Sequence, residues 1–133
     1  MSLTSILQQT EHRPWPLPKG PWVMTQTWAD LLFAHWPIDP DELRRVMPAP
    51  LTLDTYEGQS WIGIVPFNIT TFRPRWLPSI PRLTTFPELN IRTYVTVGDK
   101  PGVYFFSLDA ANWPAVIGAR LWFHLPYVFA QMS

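Results

Sequence analysis

The sequence predicts a mainly antiparallel β fold of the α+β type, a β-barrel or half-barrel carrying two or three short helices. Three observations predict it. Runs of Thr, Trp, Val, Ile and Phe recur between Pro- and Gly-rich breaks, the pattern of strands separated by turns. No strand–helix–strand repeat is visible, which argues against a parallel sheet. Hydrophobic residues make up 47% of the chain and charged residues 15%, a composition too apolar for disorder and sufficient for a core.

Residues 3–10 read as a short helix, ended by the prolines at 14, 16, 18 and 21. Residues 22–36, rich in Thr, Trp, Leu and Phe, read as one long strand or two short ones. Asp39 suits an N-cap, Pro40 the first helical position, and Asp41 and Glu42 the positive end of the dipole. That helix should reach about Met47 and stop before Pro48, with Leu43, Val46 and Met47 inward and Arg44 and Arg45 toward water.

Residues 51–56, a Glu57-Gly58 turn and residues 60–71 read as a hairpin. Gly63 and Pro66, inside the apolar run SWIGIVPFNI, suggest a bulge or a barrel corner. A second proline cluster (Pro74, Pro78, Pro81, Pro87) marks an irregular segment. Residues 88–97 alternate, with Leu89, Ile91, Thr93, Val95 and Val97 on one face and Glu88, Asn90, Arg92, Tyr94 and Thr96 on the other. The stretch GDKPG reverses the chain at 98–102, and residues 103–109 return as a strand. Residues 113–123 read as a short helix with Pro114 in its first turn.

The same composition narrows function. Ten basic residues balance ten acidic ones, so nothing marks a nucleic-acid or anionic-membrane partner. With no cysteine in the chain, disulfides, thiolate catalysis and Cys-based zinc sites are excluded, and a reducing compartment fits. The N-terminus lacks the basic and apolar regions of a signal peptide, and no run approaches the length of a membrane span. The expectation is a cytoplasmic protein. His12, His35 and His124 are too scattered for a metal set, and no dinucleotide, P-loop or zinc-protease motif is present, so no metal and no cofactor are expected. What remains is the polar face of residues 88–96, which either meets solvent or lines a pocket.

Six blocks, WADLLFAHWPI, DPDELRRVMPAPLTLD, SWIGIVPFNI, ELNIRTYV, GVYFFSLDA and ARLWFHLPY, taken in this order and spacing, resemble the DUF2071 family of uncharacterised proteins. That family is similar in fold to acetoacetate decarboxylase, and KGPW at 19–22, residues 39–54 and residues 114–128 resemble segments of that enzyme. The resemblance spans nearly the whole chain from about residue 12 and corresponds to the N-terminal half of a family-length protein, so residues 1–133 are expected to be a single domain. Decarboxylases of this kind use a lysine as a Schiff-base nucleophile, activated by a neighbouring cation. Here the two lysine positions hold Tyr127 and Val128, and Leu121 stands where an acidic residue follows the motif's arginine. The arginine persists as Arg120, and Glu88 is the counterpart of a barrel-strand glutamate. The two lysines of the chain, Lys19 in the proline-rich arm and Lys100 in a turn, are poorly placed to substitute.

The resemblance thus implies Glu88, Arg120 and Tyr127 as catalytic candidates and Asn90, Arg92 and His124 as ligand-binding candidates. On an otherwise apolar helix an inward Arg120 needs a salt bridge, to Glu88 or Asp109, or a bound anion. Glu88 either pairs with it or acts as an acid–base group; Tyr127 either packs or presents a hydroxyl to a ligand. The expected ligand is a small organic acid or keto compound. The alternative is a structural or interaction protein. In either case an open half-barrel would expose strand edges, so a homo-oligomer, a dimer or higher, is expected.

Overall fold

A computed structural model describes residues 3–78 and 85–132. Its order is helix α1 (Leu3–Gln8), strands β1 (Met24–Ala29) and β2 (Ala34–Ile38), helix α2 (Pro40–Val46), strands β3 (Thr52–Leu53), β4 (Ser60–Pro74), β5 (Phe86–Val97) and β6 (Lys100–Ala110), helix α3 (Trp113–Gly118) and strand β7 (Tyr127–Phe129). A π-helical turn, Ala119–Phe123, follows α3 directly.

The seven strands form one mixed sheet of order β1-β4-β5-β6-β7, with β2 also on β4 and β3 also on β5. All pairs are antiparallel except β6 with β7, which is parallel. The expected barrel is therefore corrected: the sheet does not close, because β1 and β2 lie end to end along one border and β7 forms the other.

Two cores form on opposite faces. Val65 pairs with Asn90 and Ile62 with Thr93, and positions three apart on a strand point to opposite sides. On one face Val65, Phe67, Ile69, Phe86 and Ala110 are buried with Val116 of α3; we call this the α3 face. On the other, Val95 is buried with Leu43 and Met47 of α2, and Ile38, Leu53 and Ile62 pack around them. α2 begins as anticipated, with Asp39 accepting a hydrogen bond from the Asp41 amide at 2.8 Å. Its sides differ from expectation at two positions. Val46 is exposed, and Arg44 folds back to donate to the carbonyls of Met47, Pro48 and Leu51. These carbonyls lie beyond the last helical hydrogen bond, so the guanidinium satisfies acceptors that the helix cannot.

Other departures have local causes. Glu57 and Gly58, both at positive φ, form the expected turn within a bridge between Tyr56 and Gln59. The strand before it, however, pairs with β5 (Thr52 with Thr96) and not with β4, so there is no extended hairpin. Gly63 and Pro66 sit in unbroken register with β5; the irregularity of β4 lies opposite Thr27 and Trp28. Pro74 and Pro87 belong to strands rather than to an irregular segment, while Pro81 lies outside the described residues. The reversal at Gly98-Asp99 is shorter than anticipated, since Lys100 and Pro101 already belong to β6. The single helix expected at 113–123 is α3, capped by the Asn112 side chain on the Ala115 amide, followed by the wider π-helical turn.

Candidate functional site

β5 presents Glu88, Asn90, Arg92 and Tyr94 to the α3 face, since alternate residues of a strand share a side. This is the polar row read from the sequence. Its two ends have different neighbours.

At the first end Glu88 is only 4% exposed, set among Phe67 and Ala110, its partners across β4 and β6. The Tyr127 hydroxyl donates to Glu88 Oε1 at 3.1 Å. Tyr127 stands on β7 in register with Leu108, two strand spacings from β5, roughly 10 Å. A tyrosine and a glutamate side chain together span that gap, and Ala110 offers only a methyl group where they cross. Burial raises the Glu88 carboxyl to about 7, against a smaller lowering by the tyrosine bond. Burial, with the Glu88 charge and hydrogen bond behind it, pushes the Tyr127 hydroxyl up as well. Near neutrality the pair therefore holds a proton on the carboxyl about half the time, and the phenol keeps its own.

Two open hollows flank this pair. One of about 400 Å³ is lined by Glu88 with Asp30, Asn68 and Met132, among others. The other, of about 510 Å³, is lined by Tyr127 with Arg120, His124, Phe106 and Pro126. Arg120 is corrected from its expected place. It is exposed, and no hydrogen bond or ion pair reaches it from Glu88, Asp109 or any other described residue. None of the five residues of the π-helical turn is buried, because the chain leaves the sheet border after Gly118; Leu121 and Trp122 are 75% and 73% exposed. His124 is exposed too, at a left-handed φ of 52° where the turn ends. Arg120 and His124 thus share a hollow with Tyr127 without touching Glu88.

Asn90, 2% exposed, follows Glu88 on the row, and its Oδ1 is enclosed with no partner. At the far end lies a cluster that the sequence reading missed. Arg92 packs its guanidinium on the rings of Phe33 (5.1 Å from Cζ to centroid) and Tyr94 (6.0 Å). The Tyr94 hydroxyl shares a hydrogen bond of 2.6 Å with His35 Nε2. His35 and Arg92 both pair with Gly63 on β4, where a Cβ would meet His35 Nε2 at 3.0 Å. The missing side chain is what lets the imidazole reach across β4 to β5. Fifty-nine residues separate His35 from Tyr94, so no local signal marks the pair; the Gly63 inside an apolar strand was the available clue.

Lys19 is exposed, and Lys100 sits over the Trp15 ring at 5.5 Å; neither borders the row. Among the described residues no group of three His, Cys, Asp or Glu side chains could hold a metal, and no helix is long and apolar enough to cross a membrane.

Comparison with known proteins bears on what this site belongs to. Among curated proteins the chain is 59% identical over 117 residues to the uncharacterized protein YqjF of Bacillus subtilis (strain 168), an alignment covering 88% of this chain and 48% of that protein. The chain thus spans about half the length of this relative. No solved structure matches. The family profile of DUF2071, described as an uncharacterized conserved protein, matches residues 25–133, so the chain belongs to the DUF2071 family.

Proposed function

We propose that the α3 face binds a small organic acid or keto compound at the Glu88–Tyr127 pair. The observation that carries this reading is the buried Glu88 carboxyl, hydrogen-bonded by Tyr127 and raised to about 7. A carboxyl in that condition donates a proton or hydrogen bond to a carbonyl oxygen when neutral and accepts one when charged. The Tyr127 hydroxyl, whose proton is directed to Glu88 Oε1, keeps its oxygen as an acceptor for a ligand, and Arg120 and His124 line the same hollow as Tyr127. Asn90 extends the polar row toward Arg92. Within this chain the chemistry proceeds without a Schiff base, since no lysine borders the pair and Tyr127 occupies the place the resemblance gives to the amine. The absence of cysteine from the chain suits action in the reducing cytoplasm.

The test is a thermal-shift and calorimetric screen of keto acids, aromatic acids and their neutral carbonyl analogues, with a turnover assay on every hit. Tyr127→Phe should weaken a hit roughly tenfold, the effect of one lost hydrogen bond in a buried setting, and Glu88→Gln should change its pH dependence. Product formation would make the site catalytic; binding alone would make it a sensor. If no compound raises the melting temperature, the reading fails.

A second reading, self-association, is favoured by the apolar surface along the β7 border: Trp113, Leu121, Trp122, Val128 and Phe129 are all more than two-fifths exposed. Large aromatic patches of this kind mark contact surfaces. Light scattering on a size-exclusion column should give a dimer or higher species, and a monomer stable at high concentration removes this reading.

A further inference from the structure

The far end of the polar row carries a cation without an anion. Arg92 makes no hydrogen bond or ion pair among the described residues, and its Nε is enclosed with no partner. Its terminal nitrogens are outside that enclosed set, so they remain reachable. A half-buried guanidinium in this state is short of the negative partner that would offset its desolvation.

The surroundings say what form the partner takes. The guanidinium packs on Phe33 and Tyr94, contacts that take up none of the terminal N–H groups of its fork. Phe33, His35 and Tyr94 form an offset column of near-parallel rings, with centroids 6.3 and 5.8 Å apart and planes inclined by 12° and 21°. Phe33 is half-exposed at 51%, so the column ends in an open aromatic shelf beside the fork. The hydrogen bond between His35 and Tyr94 holds the column in place, and the bare Cα of Gly63 gives the imidazole its room.

We propose that Arg92 is the anchor of a monocarboxylate with a flat, apolar body: the carboxylate takes the guanidinium fork in a bidentate contact and the body lies on the Phe33 shelf. A planar single charge neutralises a single guanidinium, whereas a phosphate dianion would leave an excess charge that no second Arg or Lys among the described residues of the cluster meets. The proposal rests on the same reading of the α3 face as a ligand surface, but it uses different side chains from the Glu88–Tyr127 pair.

Benzoate, benzamide and inorganic phosphate are the probes, titrated by calorimetry and by amide NMR shifts into the full chain. Benzoate should bind and perturb the amides of β2 and β5, while benzamide and phosphate should bind at least about tenfold more weakly, having lost the charge or the flat body. Arg92→Met should weaken benzoate by roughly tenfold or more. Arg92→Lys, which keeps charge and fold but loses the fork, should fall between, and Phe33→Ala should weaken it without altering the charge preference. Arg45→Ala, on the far side of α2, should bind as the wild type does. Equal binding of benzoate and benzamide, or of benzoate and phosphate, overturns the proposal, as does benzoate binding unchanged in both Arg92 variants. In those cases sensitivity of any bound acid or ketone to Glu88→Gln would leave the reading of the first pair intact; silence in both sets of variants removes both.

Discussion

Replacing Glu88 with Gln isolates the energetic consequence of burying a carboxyl among Phe67, Ala110 and Tyr127. Its folded-state value of about 7, against an ordinary value of 4.5, means that the folded chain holds this proton more tightly than the unfolded chain does. The carboxyl is fully compatible with folding below pH 4.5, where both states are protonated. Between pH 4.5 and 7 the unfolded chain loses the proton first, and native stability drains away; above 7 the loss is complete. At about 1.4 kcal/mol per unit the ceiling is about 3 kcal/mol. Solvent screening through the open hollows beside the pair brings the expected effect to about 2 kcal/mol. Glutamine keeps an oxygen acceptor for the Tyr127 hydroxyl but cannot ionise, so the variant lacks this slope. Urea unfolding of both proteins at pH 4.5 and pH 8 should show wild type losing about 2 kcal/mol more than Glu88→Gln as pH rises. A stability difference that stays flat across that window would mean the carboxyl is solvated in the folded state, and the argument for an acid–base group would go with it.

Three further outcomes follow from the geometry. Gly63→Ala places a Cβ 3.0 Å from His35 Nε2, so the imidazole must withdraw; in a double-mutant cycle Tyr94→Phe should then cost less than it does in wild type, and an unchanged cost would show that the 2.6 Å contact contributes nothing. Asp39→Ala removes the oxygen that accepts from the Asp41 amide and should cost about 1 kcal/mol in chemical denaturation. Phe67→Ala empties the centre of the α3-face core, where Phe67 is 3% exposed and touches the Trp28 ring at a centroid distance of 4.5 Å, and should cost about 3–5 kcal/mol.

Local chemistry was legible in the sequence wherever one residue type dictates one backbone state. Asp39 and Pro40 start α2, Glu57-Gly58 and Gly98 make the turns, and the alternation of β5 puts Glu88, Asn90, Arg92 and Tyr94 on one side. What composition could not reveal was pairing between distant segments. Residues 51–56 read as the hairpin partner of the strand after the turn, yet Thr52 and Leu53 pair with β5, a choice that satisfies their backbone groups as well and leaves no local mark. Arg120 illustrates a different limit. Four positions after buried Val116, it lies on the inward stripe of a straight α-helix. But the chain widens into a π-helical turn at the sheet border, where no layer remains to bury it. Membership of DUF2071 was legible because six blocks in fixed order carry far more information than any one motif.

The burial pattern of β5 shows why a correctly read face still does not locate a site. Buried positions run Phe86, Glu88 and Asn90, then switch to Thr93 and Val95, although the pairing of β5 with β4 never slips. The side chains keep alternating; what changes is the cover. α3 lies over the α3 face at the Glu88 end, and α2 lies over the opposite face at the Val95 end. Along the α3 face the row therefore passes from a stretch under α3, where the carboxyl accepts a hydrogen bond from Tyr127, to one where the described ring neighbours of Arg92 and Tyr94 are Phe33 and His35. Glu88 and Arg92 are tolerated on the row for two different reasons, a hydrogen bond from Tyr127 at one end and partial exposure of the side chain at the other. A ligand that follows the row would cross that border, trading solvent at the Arg92 end for the proton held at Glu88, and this gradient of cover gives the two ends different chemistry on one strand.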